Sequence, residues 1–360
     1  MRVLFLTKYD RLGASSRYRT FQYLPFVKES GIDFDVKPLF NEEYLVYKYK
    51  YGRENKFLTL ERLFKRIKTV LIDSWKYDLL VIEKELIPYF PPVFEYYLKL
   101  IGKPYIVDYD DAVWHNYDNH RKKIIRLILK NKIKTVMKLA SVVIGGSEYI
   151  IEYAENAESK RIEKIPTVID LRKYNCADEK KEEKFVIGWI GSPSTSKYIL
   201  RINEPLARFT KRYNAVVHLV GFDKRLKSKL LFDGKIIEWN EHTEVDEICK
   251  FDVGIMPLED GPFERGKCGF KLIQYMGCKK PVIASPVGEN NIIVKHGFNG
   301  YLAENSEDWF NYLEIFYHSC EIRQKFGKNG FEVVKNFYSL DVTKDSYLSV
   351  LLDILKEVKI

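Results

Sequence analysis

The feature that most constrains this chain is a repeated alternation. Short, almost uninterrupted apolar runs are separated by longer stretches with helical periodicity. RVLFL (2–6), DLLVIE (78–83), PYIVDYD (104–110) and SVVIGG (141–146) are runs of the first kind. RLFKRIKTVLIDS (62–74) and KKIIRLILKNKIKTVMKLA (122–140) are stretches of the second. A strand with one solvated face alternates polar and apolar residues, whereas a continuous apolar run marks a strand covered on both faces. The pattern therefore predicts an α/β fold with doubly wound parallel sheets.

The alternation stops at LRKYNCADEKKEEK (171–184), a polar and charge-rich stretch that reads as an interdomain linker. It restarts with FVIGWIG (185–191), AVVHLVG (215–221), KIIEW (235–239), DVGIMPL (252–258), KPVIASP (280–286) and GYLAE (300–304). We expect an N-terminal Rossmann-like domain over 1–175 and a second over 184–335. A C-terminal helix over 336–360 is expected to pack back on the first domain. With 360 residues, 46% of them hydrophobic, the chain has material for two cores.

The five cysteines (Cys176, Cys249, Cys268, Cys278, Cys320) are odd in number and scattered, with no CxxC pair and no His/Cys cluster. A reduced compartment and no metal site are the expectation. MRVLFLTKYD reads as a first strand and not a signal peptide. No window holds 18 uninterrupted apolar residues, so no membrane span is expected. The net charge of +9 leaves nucleic acid, an anionic membrane or a phosphorylated substrate as partners.

Ligands of open α/β sheets bind beyond the carboxyl ends of the strands, so the strand-end loops carry the functional reading. In KYDRLGASSRYR (8–19), Gly13 and Ala14 permit close backbone approach to a ligand; the competing reading is a serine-capped helix start. In GWIGSPSTSKY (188–198), Ser192 follows Gly191, and Lys197 is placed to reach a phosphate. In ERGKCGFKLIQYMG (264–277), Glu264, Arg265, Lys267, Cys268, Gly269, Phe270 and Lys271 lead into a helix that begins near Gly269. Helix N-termini with nearby glycines and cations hold phosphate. Gln274, one turn on, is placed to hydrogen-bond sugar or ribose hydroxyls. A diphosphate is the expected occupant.

IVDYDDAVWHN (106–116) puts Asp108, Asp110 and Asp111 at the end of a strand. A metal-binding reading of Asp108 and Asp110 competes with acceptor binding by Asp110, Asp111 and His115, and with simple helix capping. Residues 119–138 hold eight Lys/Arg and no acid, with Lys122, Arg126, Lys130, Lys134 and Lys138 every fourth residue. Like charges at that spacing cost about 0.2–0.5 kcal/mol per pair on a helix. An anionic membrane surface is the expected partner of this ridge, and a solvated face is the alternative. VYKYKYGRENK (46–56), with its interleaved tyrosines and cations, suits the same interface.

The segment 251–303, and less specifically most of the chain, resembles glycosyltransferase family four. GASSRYR (13–19), DYDDAVWH (108–115), GGSEYI (145–150) and IPTVID (165–170) add to the likeness. The resemblance implies a GT-B fold: two Rossmann-like domains facing across a cleft, with a C-terminal helix crossing back to the first. It implies a retaining, metal-independent hexosyltransferase with a nucleotide-sugar as substrate and no cofactor. The acceptor would be a glycan or a lipid-linked sugar in surface-polysaccharide assembly, at the cytoplasmic face of the membrane. The chain departs from the family pattern at three places. Ser192 stands where the family has an arginine, Gly266 where it has its first glutamate, and Gln274 where it has its second. Glu264 is the nearest replacement for the first glutamate, and Arg265 or Lys271 for the arginine. A nucleic-acid-binding protein and a GT-B epimerase or hydrolase are the other readings. No nucleic-acid recognition signature supports the former.

Overall fold

A computed structural model describes residues 1–176 and 182–358; the part of the expected linker at 177–181 lies outside the described residues. The chain forms two units. The first comprises Met1–Thr167, Gly266–Cys268 and Thr343–Ile360, the second Val168–Arg265 and Gly269–Val342.

The first unit is built on β1 (Arg2–Leu6), β2 (Asp33–Val36), β3 (Leu79–Glu83), β4 (Tyr105–Tyr109), β5 (Val142–Gly145) and β6 (Ile162–Lys164). They form one parallel sheet ordered β2-β1-β3-β4-β5-β6. Val3 lies opposite both Phe34 and Leu79. The central strands β3, β4 and β5 are buried at every residue, which accounts for their unbroken apolar sequences. The edge strands β2 and β6 are half-buried and carry charge, so their sequences show no such run. Helices Lys56–Leu71, Val93–Leu100 and Lys132–Leu139 share one core with the sheet through Leu63, Phe94, Ile133 and Met137. The C-terminal helix Leu340–Glu357 contributes Thr343 and Tyr347, which meet Tyr23 through a 2.8 Å hydrogen bond and a ring stack at 4.2 Å.

The second unit holds β7 (Phe185–Ile190), β8 (Ala215–Val220), β9 (Gly234–Ile237), β10 (Val253–Met256), β11 (Val282–Ala284) and β12 (Gly300–Leu302). The parallel order is β12-β11-β10-β7-β8-β9, the doubly wound order whose strand succession reverses between β7 and β10. In the first unit the reversal falls between β1 and β3. The loops leaving these four strands are therefore where each sheet opens toward a ligand.

Two expectations are overturned. Cys176 and Cys249, 73 residues apart, form a disulfide, and the sulfur of Cys278 lies in the same group. The cysteines look scattered only along the chain, and the α/β winding brings three of them together. The basic stretch is not one ridge. It breaks at Lys130–Asn131 into helices Lys123–Leu129 and Lys132–Leu139. Asn131 sits at φ −99°, ψ 4°, outside helical geometry, so the register of every fourth residue is lost. Lys132 is buried and ion-paired to Glu85, while Ile128 is 58% exposed.

Candidate active site

In the second unit the helix Phe270–Gly277 is held at the switch point by Tyr275. Its hydroxyl accepts the Ile190 N–H at the end of β7 at 3.0 Å and lies 3.3 Å from the Ile255 carbonyl of β10. Gly254 makes room for this ring: a Cβ there would lie 2.3 Å from it. The helix starts at Gly269, which adopts φ +63°, and no side chain caps it. That conformation favours glycine, and a Cβ at Gly269 would fall 2.3 Å from Ile293 Cδ1. Gly269 is buried, while Phe270 and Lys271 are half-buried.

Around this start, Ser192 closes β7 with a capping box to Thr195. The exposed ammonium of Lys197 is 3.7 Å from Glu264 and 4.8 Å from the Tyr198 ring. Glu264 is buried and accepts the Tyr198 hydroxyl proton in a hydrogen bond. Lys271 stands 5.9 Å above the Trp189 ring. The structure therefore brings Lys197 and Glu264 together, while Ser192 is held by Thr195 and Lys271 lies by Trp189 of β7. Arg265 forms a two-point ion pair with Asp260, at 2.7 and 3.0 Å, so its charge is already engaged. Gln274 is buried and donates to the Tyr174 hydroxyl at 3.0 Å.

In the first unit the ends of β1, β3 and β4 meet. Gly13 begins a short helix, with no space for a Cβ against Tyr9; Ala14 follows as its first residue. The next two residues, Ser15 and Ser16, donate to the buried Glu83 carboxylate, which also receives the Lys8 N–H at 2.9 Å. Lys84, buried and in the left-handed region at φ +67°, places its ammonium 2.7 Å from Asp110 and 3.3 Å from Asp111. Burial opposes ionisation of Asp110, but the Lys84 ammonium outweighs it and holds the carboxyl down at about 2. Arg19 donates to both oxygens of Asp108 at 3.1 Å. Burial nevertheless pushes the Asp108 carboxyl up to about 6. Both carboxylates of the competing metal-binding reading thus already face a cation of the protein.

Lys267 reaches Asp111 at 3.4 Å, and the Cys268 thiol donates to the Asp110 carbonyl at 3.1 Å. Burial, then the Asp110 charge, push that thiol well up, which disfavours the thiolate. His115 has both ring nitrogens engaged, Nδ1 with Asp118 at 2.9 Å and Nε2 with the Tyr149 hydroxyl at 3.0 Å. Sequence reasoning missed Glu83, Lys84 and Arg19 as members of this cluster. The triplet Glu83-Lys84-Glu85, charged residues straight after an apolar run, was the available signal.

The two sheets and their windings are those of the GT-B class. Sucrose-phosphate synthase from Thermosynechococcus elongatus superposes with a TM-score of 0.73 at 15% identity, covering 99% of this chain and 100% of that one. Anabaena HepE in complex with UDP-glucose gives 0.74 at 15% identity, over 98% and 100%. WaaG, a glycosyltransferase involved in lipopolysaccharide biosynthesis, gives 0.70 at 15%, over 96% and 99%. At the sequence level, residues 184–318 match the family "Glycosyl transferases group 1". An uncharacterised glycosyltransferase of Methanocaldococcus jannaschii is 28% identical over 242 residues, 59% of this chain. The match spans 61% of that relative's length. The fold is thus that of GT-B proteins, and residues 184–318 carry the likeness to group 1 glycosyl transferases.

Proposed function

We propose that this chain is a retaining glycosyltransferase that moves a hexosyl group from a nucleotide-sugar to a glycan or lipid-linked acceptor in surface-polysaccharide or glycoconjugate assembly. The observation that carries the reading is the family match over 184–318, which contains the donor-side residues from Ser192 to Gln274. The donor diphosphate is assigned to the start of helix Phe270–Gly277, where the helix dipole favours an anion. Lys197 and Lys271 supply point charges from Ser192 onward, and within the first unit the loop at Gly13 and Ala14 permits close backbone approach of a ligand. Glu264 is assigned to the transferred sugar and Gln274 to the ribose. Lys267, Cys268 and Phe270 shape the same loop.

In the reaction the acceptor oxygen bonds to the anomeric carbon as the bond to the diphosphate oxygen breaks. The hydroxyl proton passes to the departing phosphate. Asp111, more exposed than Asp110 (28% against 14%), is assigned as the hydrogen-bond acceptor for that hydroxyl. Asp110 and His115 hold the surrounding loop. Stabilising the departing diphosphate with fixed amides and cations supplies most of the rate, with no metal required in this scheme. The test is a screen of nucleotides and nucleotide-sugars by thermal shift and product assay. UDP-glucose comes first, because HepE is described in complex with it. No stabilisation by any nucleoside diphosphate would remove the reading.

A membrane-surface partner is supported by exposure in the first unit. Phe57, Phe64, Trp75, Leu100, Ile124, Leu127 and Ile128 are all more than half exposed, Leu100 reaching 86%. Lys122, Arg126, Lys130 and Lys134 lie in the same segment as the last three. Apolar side chains entering the headgroup region, with cations beside them, is how a protein without a spanning helix holds an anionic bilayer. No helix among the described residues is long and apolar enough to cross a membrane. The proposal is a peripheral enzyme on the inner face of the cell membrane.

A further inference from the structure

Cys176, Cys249 and Cys278 come from three separate parts of the second unit. Cys176 follows the turn Leu171–Lys173, Cys249 ends helix Glu244–Cys249, and Cys278 caps helix Phe270–Gly277. Their sulfurs all lie within 4.8 Å of one another. Nothing in the donor-binding reading uses them.

We propose that, when the Cys176–Cys249 bond is reduced, these three sulfurs bind one thiophilic divalent cation of the zinc type. Thiolates at bond lengths of about 2.3 Å around a tetrahedral ion stand about 3.8 Å apart. A group spanning less than 4.8 Å meets that demand with side-chain rotation, once the two bonded sulfurs separate. The donor set is all sulfur, which selects zinc-type ions over the hard magnesium or calcium. Three thiolates around a dication leave a net negative charge. Lys280, whose ammonium hydrogen-bonds the Cys249 carbonyl, is the cation beside it. The Cys278 backbone is fixed in place, its N–H donating to the carbonyls of Gln274 and Tyr275 at 3.2 and 3.0 Å.

The exchange balances with a low-molecular-weight thiol as reductant. Two such thiols give up two electrons and two protons, become one disulfide, and leave Cys176 and Cys249 as thiols. The cation then displaces the protons of all three cysteines. A small-molecule disulfide reverses the sequence: the ion leaves, the bond reforms, and Cys278 takes up a proton again. In either state Cys176 is tied into the group that Cys278 shares, at the end of the helix whose other end is Gly269. The site is therefore a clamp with two interchangeable fastenings, one covalent and one metallic.

The experiment uses the full chain, made metal-free, with and without a phosphine reductant, titrated with Co²⁺ alone. Reduction should raise the thiol count of the folded chain from three to five. The reduced chain should then show a sulfur-to-cobalt charge-transfer band that saturates at about one ion per chain and is displaced by Zn²⁺. Unreduced chain should show none. Cys278→Ser should abolish the band, and Cys320→Ser should leave it intact. If Cys278→Ser does not fold, Cys249→Ala replaces it. A folded chain still holding three thiols after reductant, a reduced chain without the band, or a band unmoved in the Cys278 or Cys249 variant overturns the proposal.

Discussion

Lys84 holds its ammonium 2.7 Å from the Asp110 carboxylate while its own backbone sits at φ +67°. A non-glycine residue in that region carries strain of about 1–3 kcal/mol. It persists here because the ion pair and the 2.9 Å hydrogen bond from the Lys84 N–H to the Asp108 carbonyl fix the turn after β3. The strain lies at the sheet's topological switch point, where the loops after β1 and β3 leave.

Lys84→Met should therefore be strongly destabilising, by about 3–5 kcal/mol, because it strands a buried carboxylate. The pH dependence distinguishes this from simple misfit. In the wild type, Asp110 is held at about 2, below its unfolded value. Its contribution is complete above roughly pH 4 and is lost as pH falls toward 2. In the variant that trend reverses, and urea denaturation should show stability rising from pH 7 to pH 4. Lys84→Met combined with Asp110→Asn should recover part of the loss.

Gly269→Ala should damage both fold and donor binding. The new methyl meets Ile293 and the backbone stays at φ +63°, a combination worth about 1–3 kcal/mol. Calorimetry should show the lower melting temperature and, separately, a raised Kd for UDP. A variant binding UDP as tightly as the parent would move the diphosphate away from this helix.

Lys197→Ala and Lys271→Ala should each raise the donor Kd about tenfold, the scale of one charge-assisted hydrogen bond. Lys197 is mostly exposed and Lys271 only half-buried, so the melting temperature without ligand should hardly change. Unchanged donor affinity in both would exclude these loops.

Reduction without metal should cost about 4 kcal/mol, the loop entropy released when a cross-link closing some 73 residues opens. Guanidinium denaturation with and without reductant measures it. Cys320→Ser, at an exposed free cysteine, is the variant that should leave both curves in place.

Leu100→Asp and Leu127→Asp should weaken sedimentation with anionic vesicles, since each removes an exposed apolar side chain and adds a repelled charge. Equal binding to neutral and anionic vesicles would discard the electrostatic part of the membrane reading.

How much of this was legible in sequence follows from burial. Strands β3, β4, β5 and β7 are covered on both faces, so their apolar runs carried the α/β reading directly. Strands β2 and β6 escaped notice because a sheet edge needs no such run. The helix start at Gly269 was visible as glycines and cations before an amphipathic stretch. Its tether, Tyr275 to Ile190 and Ile255, was not, because that contact depends on how the helix lies on the sheet. Arg265 looked like a spare cation until Asp260, five residues earlier, was seen to take it.

Local sequence by itself determined the periodicities, the strand-end loops and the positive, glycine-lined helix mouth, because each depends on residues within a turn or two of one another. Only tertiary structure decided the pairings across long separations: Arg19 with Asp108, Lys132 with Glu85, Cys176 with Cys249 beside Cys278. A buried charge or sulfur takes whichever partner the winding of the sheet delivers. That partner has no periodicity by which the chain could announce it.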